Sequence, residues 1–219
     1  MPRTVLSSTR EKNTKDINIG HMILFCEGST EKYYFEHLVG IIKKNKFDDI
    51  EIEIADPVGG NSITVLNYAD EYLLDHKNNT KYSNYMKYLI FDCDDKLVDP
   101  QDIINKAVSS KNSYEILVSN RAFEIWFLMH FEIVDAEHNN KIIERLNSKL
   151  VHGYRKASKG IISEIVHNGS VKSAIENAKH LCDKYEHEGM NICNSIKEMN
   201  PYTNVHVLVE QLLAAQSVK

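Results

Sequence analysis

The sequence predicts a doubly wound α/β fold, a mainly parallel sheet with a helical C-terminal part. Two observations carry this. Through residue 131, short apolar runs alternate with segments of helical periodicity, the pattern of parallel strands joined by crossover helices. Beyond residue 131 the periodic segments are helical and no further strand stands out. Three stretches are therefore expected: a flexible, mildly basic tail over 1–19, an α/β core over 20–131, and a helical part over 132–219.

The elements follow in order. The run "HMILFC" (21–26) reads as a buried strand. A helix is expected from about Ser29 to Lys46, because Tyr33, Tyr34, Leu38, Ile41 and Ile42 recur at helical spacing. "IEIEIA" (50–55) alternates with period two, a strand with one more solvated face. "PVGGNS" is a glycine loop whose Asn61 or Ser62 can cap a helix ending near His76. "KNNTKYSN" reads as a polar connection, "YMKYLIFD" (85–92) as a strand, and 99–109 as a short helix entered through Asp99-Pro100. "YEILVS" (114–119) is another buried strand, and "RAFEIWFLMHF" opens a strongly apolar helix whose Phe123, Trp126, Phe127 and His130 share a core-facing side. "NNKIIERLNSKL", "SVKSAIENAKHLCDKY" and "NVHVLVEQLLAAQ" are helical, the last entered at Asn200-Pro201 with Thr203 as the expected cap.

Composition narrows the class of protein. A chain of 219 residues with 42% hydrophobic and 26% charged residues reads as globular. No apolar run approaches the roughly 20 residues that cross a bilayer. The first twenty residues carry Arg3, Arg10, Lys12 and Lys15 and lack the apolar core of a secretion signal, so no membrane partner and a cytoplasmic location are expected. Cys26, Cys93, Cys182 and Cys193 form no CxxC pair and read as reduced thiols. His180, Cys182, His187 and Cys193 match no standard zinc spacing. The net charge of −5 excludes a uniformly basic nucleic-acid coat but not a local basic groove. Two clusters, Lys43, Lys44 and Lys46, and Arg155, Lys156 and Lys159, read first as solvated surface.

The stretch "ILFCEGSTEKYYF" (23–35) is unusual. A buried strand runs directly into Glu27 and Gly28, where a phosphate-binding turn would carry glycines and a lysine. In a parallel sheet the loops after the strands share one edge, and ligands bind there. "FDCDD" brings Asp92, Asp94 and Asp95 to that same edge, and residues i and i+2 of an extended segment point the same way. Three or four carboxylates would then crowd one cleft. Crowded carboxylates resist ionising, and a divalent cation removes the penalty. Magnesium suits the pattern, since it needs one or two carboxylates and takes phosphate oxygens as further ligands. Spacing fits a second reading equally well, in which Glu27 complements a helix dipole and the aspartates belong to a turn.

Several segments resemble the RloB-like family, within the Toprim fold of topoisomerases, primases and defence nucleases. They are "CEGSTEKYYF" (26–35), "FDCDD" (91–95), "SNRAFEIWFLMHF" (119–131), "HGYRKASKG" (152–160) and "NPYTNVHVLVEQL" (200–212), and the resemblance spans residues 22–212. It implies a Toprim-like core with Glu27 as general acid/base or metal ligand, and Asp92 and Asp94 as ligands of Mg2+ (or Mn2+). Asp95 and Glu124 are further candidate metal ligands, although Glu124 could instead complement its helix N-terminus. Lys156 is a candidate for phosphate contact and charge stabilisation, and Gly28, Asn120, Arg121, Tyr154, Asn204 and His206 for substrate binding. The family usually has proline where this chain has Arg121, which puts a cation near the presumed cleft. The resemblance also implies a role in prokaryotic restriction or anti-phage defence loci, often beside an ATPase.

The activity expected from this combination is metal-dependent hydrolysis of a phosphodiester in DNA or RNA. The alternative is a Toprim-derived subunit that binds nucleic acid or a partner and cuts nothing. Polymerisation is disfavoured by the lack of a nucleoside triphosphate motif. A cysteine hydrolase is disfavoured because Cys26 has no histidine nearby in sequence.

Overall fold

The computed structural model describes residues 21–41, 50–54, 60–94, 98–135 and 141–216. The expected tail, the last turn of the helix expected to reach Lys46, and Asp95 lie outside the described residues. Five strands form one sheet in the order β2-β1-β3-β4-β5. They are β1 (Met22–Cys26), β2 (Ile50–Ile54), β3 (Met86–Asp92), β4 (Tyr114–Asn120) and β5 (Tyr202–Thr203). The first four are parallel and β5 is antiparallel to β4. Every residue of β1 is buried, as a central parallel strand covered on both faces requires.

Helices α1 (Ser29–Ile41), α2 (Ser62–Leu74) and α4 (Pro100–Val108) make the crossovers, with a short α3 (His76–Lys81) before β3. Caps set their starts. Asn61 accepts from the Thr64 N–H at 3.2 Å to begin α2, and Asp99 accepts from the Gln101 N–H at 3.0 Å ahead of Pro100 in α4. The polar connection expected over 77–84 is instead occupied in its first half by α3. Asp75 caps it by accepting from the N–H groups of Lys77 and Asn78, so a charged cap supplies what the apolar periodicity lacked.

Strand alternation places the helices. Phe25 packs edge-on against Tyr68 and Tyr72 of α2, whereas its neighbour Cys26 lies beside Glu31, Lys32 and Glu36 of α1. Successive side chains of a strand leave opposite faces, so α1 and α2 cover opposite sides of the sheet. On the α1 side, Tyr34 sits among Phe123, Trp126, Phe127 and His130 around α5 (Glu124–Met129). All six residues of α5 are buried, and the helix is shorter than its apolar run suggested. His130 is held within this core by the Tyr34 hydroxyl at 3.3 Å and the Trp126 carbonyl at 2.9 Å.

The C-terminal part contributes α6 (Ile142–Lys149), α7 (Lys159–Asn168), α8 (Val171–His187), α9 (Ile192–Ser195) and α10 (His206–Gln216). It also supplies β5, which the sequence did not show. Thr203, expected as a helix cap, is instead a strand residue paired with Ser119, and α10 begins three residues later. Asn204 extends this pairing with its side chain. Its Oδ1 accepts from the Val118 N–H at 2.7 Å and its Nδ2 donates to the Ile116 carbonyl at 2.9 Å. A buried amide thus does the work of another strand residue on the exposed edge of β4.

Asn204→Ala leaves two buried backbone groups of β4 unpaired. Urea denaturation is expected to show a loss of about 2–4 kcal/mol. A loss below about 0.5 kcal/mol would show that the clamp contributes nothing.

Candidate active site

Strand order reverses between β1 and β3: α1 leads from β1 to β2 on one side, and the chain then crosses to β3 on the other. A crevice opens at such a point beyond the carboxyl ends of the strands. Glu27 follows β1 and Asp92 ends β3. The Glu27 N–H donates to the Ile90 carbonyl at 3.0 Å, continuing the ladder by one bond. Its side chain then reaches across, where Oε2 accepts from the Asp92 N–H at 2.9 Å. The two acids are therefore neighbours.

Three more carboxylates join them. Glu31 lies in the first turn of α1, four residues after Glu27, and is 3% exposed. Gly28 makes room for it, since a Cβ there would stand 3.1 Å from Glu31 Oε2. Glu124 starts α5 just past β4 and is buried, with its Oε1 accepting from the Tyr154 hydroxyl at 2.6 Å. Asp94 is exposed at the mouth. Lys156, also exposed, supplies a positive charge that acts on Glu27 and Glu31.

Crowding and burial act together on Glu27, Glu31 and Asp92. Burial pushes Glu27 up to about 7, with Glu31 and Asp94 adding to it, against the opposing pull of the Asp92 N–H and Lys156. Burial also raises Glu31, with Glu124 adding, while backbone N–H groups of Glu31 and Gly28 and the Lys156 charge pull it back. Asp92 stands well above the usual carboxylate range, through burial first and then the charges of Glu31, Glu27, Glu124 and Asp94. Lys156 responds in the opposite sense. Partial burial draws its pKa down, but Glu124, Asp92, Glu31 and Asp94 outweigh that and raise it.

Two oxygens in this cluster, Asp92 Oδ1 and Glu31 Oε2, are buried without a hydrogen-bond partner. Buried carboxylate oxygens without donors are costly, and a cation or a proton is what relieves them. An all-oxygen donor set of this kind suits a hard divalent ion. Among the described residues, however, no three acidic, histidine or cysteine side chains stand close enough together to hold a metal as they are.

The loop over 150–158 carries Tyr154 and Lys156 to the cluster. It is tied down where the Tyr154 N–H donates to Asn147 Oδ1 at 2.6 Å and the Ala157 N–H to Thr30 Oγ1 at 3.1 Å. Ala157 has φ of 55°, a left-handed conformation that costs a residue with a Cβ about 1 kcal/mol or more.

Of the residues singled out from sequence, Glu27, Gly28, Asp92, Asp94, Glu124, Tyr154 and Lys156 come together here. Others are placed differently. Arg121 is exposed and is not among the charges acting most strongly on the carboxylates. Asn120 Nδ2 donates to the Ile196 and Met199 carbonyls at 2.7 and 2.9 Å, tying β4 to the segment after α9. Asn204 is committed to the β4 backbone, as above. His206 follows the antiparallel β5 back from the site edge and lies beside Glu210, Lys179 and Asp183, where burial lowers its pKa. Glu31 and Thr30 were not singled out. The available signal was a second acid in the first turn of the helix that opens directly after Glu27-Gly28, at the same strand end.

Fold and site together define an open, mostly parallel α/β protein with a buried acidic site at its switch point. A family model described as "RloB-like protein" matches residues 22–212, and the chain belongs to that family. No curated protein and no solved structure matches it. Among the described residues, no helix is long and apolar enough to cross a membrane.

The raised carboxylates make stability depend on pH with a definite sign. Between about 4.5 and 7 the folded Glu27 binds more proton than the unfolded chain does, so stability is greatest below that window and falls as pH rises through it. Without added metal, the melting temperature is expected to fall between pH 5 and pH 8. Glu27→Gln should recover on the order of 2–3 kcal/mol at pH 8, which scanning calorimetry would register. A Gln variant that is less stable than the parent at pH 8 would show that the acids are not crowded.

Proposed function

We propose that the protein is a metal-dependent phosphodiesterase acting on nucleic acid, with the site at the β1–β3 switch point. The observation that supports this best is the pair of buried, unpartnered oxygens on Glu31 and Asp92 within a five-carboxylate cluster beside Lys156. Asp92, Glu31 and Glu27 would hold Mg2+ or Mn2+, with Asp94 and Glu124 as the remaining candidate ligands. Bound there, the ion would polarise a phosphoryl oxygen and lower the pKa of a coordinated water.

The chain's own groups have distinct tasks in this reading. Glu27 changes protonation near neutral pH, the property a general acid or base needs. Lys156 keeps its charge among carboxylates and offers it to the phosphoryl oxygens as negative charge builds on them. Tyr154 fixes the orientation of Glu124 through its 2.6 Å hydrogen bond. The family likeness further supports a Toprim-like identity for the core and a place in prokaryotic defence beside an ATPase partner.

A second reading draws on a specific observation, that no three ligands are gathered as they stand. On that reading the protein binds nucleic acid or a partner through this edge and cuts nothing.

Purified protein with Mg2+ or Mn2+ and plasmid, single-stranded DNA or total tRNA separates the two. Cleavage is expected, falling about 100-fold or more in Glu27→Gln, as loss of a general acid or base does. Asp92→Asn should lose cleavage as well, and should also lose the rise in melting temperature that Mg2+ gives the parent protein. Cleavage by both variants at parental rates would remove the hydrolytic reading, and binding without product in the parent would establish the second.

A further inference from the structure

The loop that brings Lys156 to the acidic cluster carries a second cation that the cluster does not use. Arg155 is exposed and is not among the charges acting most strongly on Glu27, Glu31 or Asp92. Among the described residues, neither Arg155 nor Lys156 makes an ion pair. Glu164 meets the start of this loop but is committed there. Its Oε1 accepts from the Val151 N–H at 2.6 Å, and its Oε2 stands 3.7 Å from His152.

Lys159 opens α7 and leans onto α1. Its ammonium lies 4.5 Å from the centre of the Tyr33 ring and 3.3 Å from Glu36 Oε2, with 68% of its side chain exposed. Lys32 reaches the other Glu36 oxygen at 3.7 Å, from one turn earlier on the same helix. The bond from the Ala157 N–H to Thr30 ties the loop to α1, which fixes these positions beside the cleft. Lys32 directly follows Glu31, so the cations begin where the acidic site ends. The two segments, 30–36 and 154–160, carry Lys32, Arg155, Lys156 and Lys159 against Glu36 and the buried Glu31. A chain of net charge −5 thereby keeps a cationic rim at its acidic cleft.

We propose that Lys32, Arg155 and Lys159 form a docking surface for the sugar-phosphate backbone of a nucleic acid, flanking the phosphodiester that enters the cleft. The choice of nucleic acid rests on the reading of the site given above. A strand that presents one phosphate to the cluster carries others on either side, and contacts to those position the strand without reading its bases. Cations at the rim also offset the repulsion between the carboxylates and an approaching polyanion. Lys156 serves the reacting phosphate and the other three serve its neighbours. Glu36 competes with phosphate for Lys32 and Lys159, so its charge tempers the binding.

Fluorescence anisotropy at low salt in EDTA, with the full chain and short labelled single-stranded and duplex oligonucleotides, tests this. Binding there needs no hydrolysis, so a chain that binds but fails to cut in Mg2+ removes the hydrolytic reading and leaves this surface standing. Binding is expected, weakened about 10-fold or more by Arg155→Glu or Lys159→Glu. Alanine at Lys32, Arg155 or Lys159 should each lower the slope of log Kd against log salt by about 0.7–0.9 per lost contact. Glu36→Gln should tighten binding several-fold, which loss of a merely structural ion pair would not do. Lys111→Glu makes the same charge reversal as Lys159→Glu on an exposed turn before β4, at the opposite edge of the sheet, and should change nothing. Absence of binding, equal weakening by Lys111→Glu and Lys159→Glu, or an unmoved salt slope in all three alanine variants overturns the proposal. Weaker binding in Glu36→Gln overturns the part assigned to Lys32 and Lys159.

Discussion

Mutual repulsion among buried carboxylates is the constraint around which this molecule is arranged. Glu27, Glu31, Asp92 and Glu124 issue from the ends of three adjacent parallel strands and the helices that follow them, so the topology itself forces them together. A stability-driven core would not place them there, because desolvating each acid already disfavours its charge before the neighbours add theirs. The surrounding structure offsets the penalty with specific donors: the Asp92 N–H on Glu27, the Tyr154 hydroxyl on Glu124, and the Lys156 charge over the group. What remains unanswered are the two orphan oxygens of Asp92 and Glu31.

Holding the acids in register requires an inflexible base. Fully buried β1, with Phe25 against Tyr68 and Tyr72, and Tyr34 packed into the α5 aromatics, fix the two strand ends and the start of α1 relative to each other. Each such fully buried side chain contributes about 1.5–3 kcal/mol. The C-terminal part is tied to the same frame through β5, the Asn204 clamp and Asn120, and it returns Tyr154 and Lys156 to the crevice. A left-handed Ala157 on that loop is tolerated where its N–H bonds Thr30, directly beside Glu31 in α1.

Much of this was legible in the residues, and the failures have physical causes. Apolar runs revealed β1, β3 and β4, and capping residues Asn61 and Asp99 revealed two helix starts. The meeting of Glu27 and Asp92 was legible because the loops after parallel strands gather along one edge. Glu31 was not, because a glutamate in the first turn of a helix has an ordinary explanation in the helix dipole, and its burial is set by a tertiary contact. The places of Asn204 and His206 were not legible for a related reason. A two-residue strand leaves no period to detect, and only the pairing of Ser119 with Thr203 shows that the chain turns away from the site there.

The geometry also links the pH response of the cluster to the chemistry proposed for it. Protons and divalent cations compete for the same oxygens, so the upward shifts of Glu27 and Asp92 hold only while nothing better neutralises them. Any ion that binds the folded chain and not the unfolded one adds stability by mass action, and it would displace those protons as it bound. The donors already in place then become the second layer around such a site: Tyr154 on Glu124 and the Asp92 amide on Glu27 would keep their carboxylates aimed while the free oxygens of Asp92 and Glu31 take the charge. On the proposed reading, the electrostatic strain among these acids would contribute to affinity for a cation. A sequence that relaxed the first, by replacing Glu31 with an apolar residue, would surrender the second.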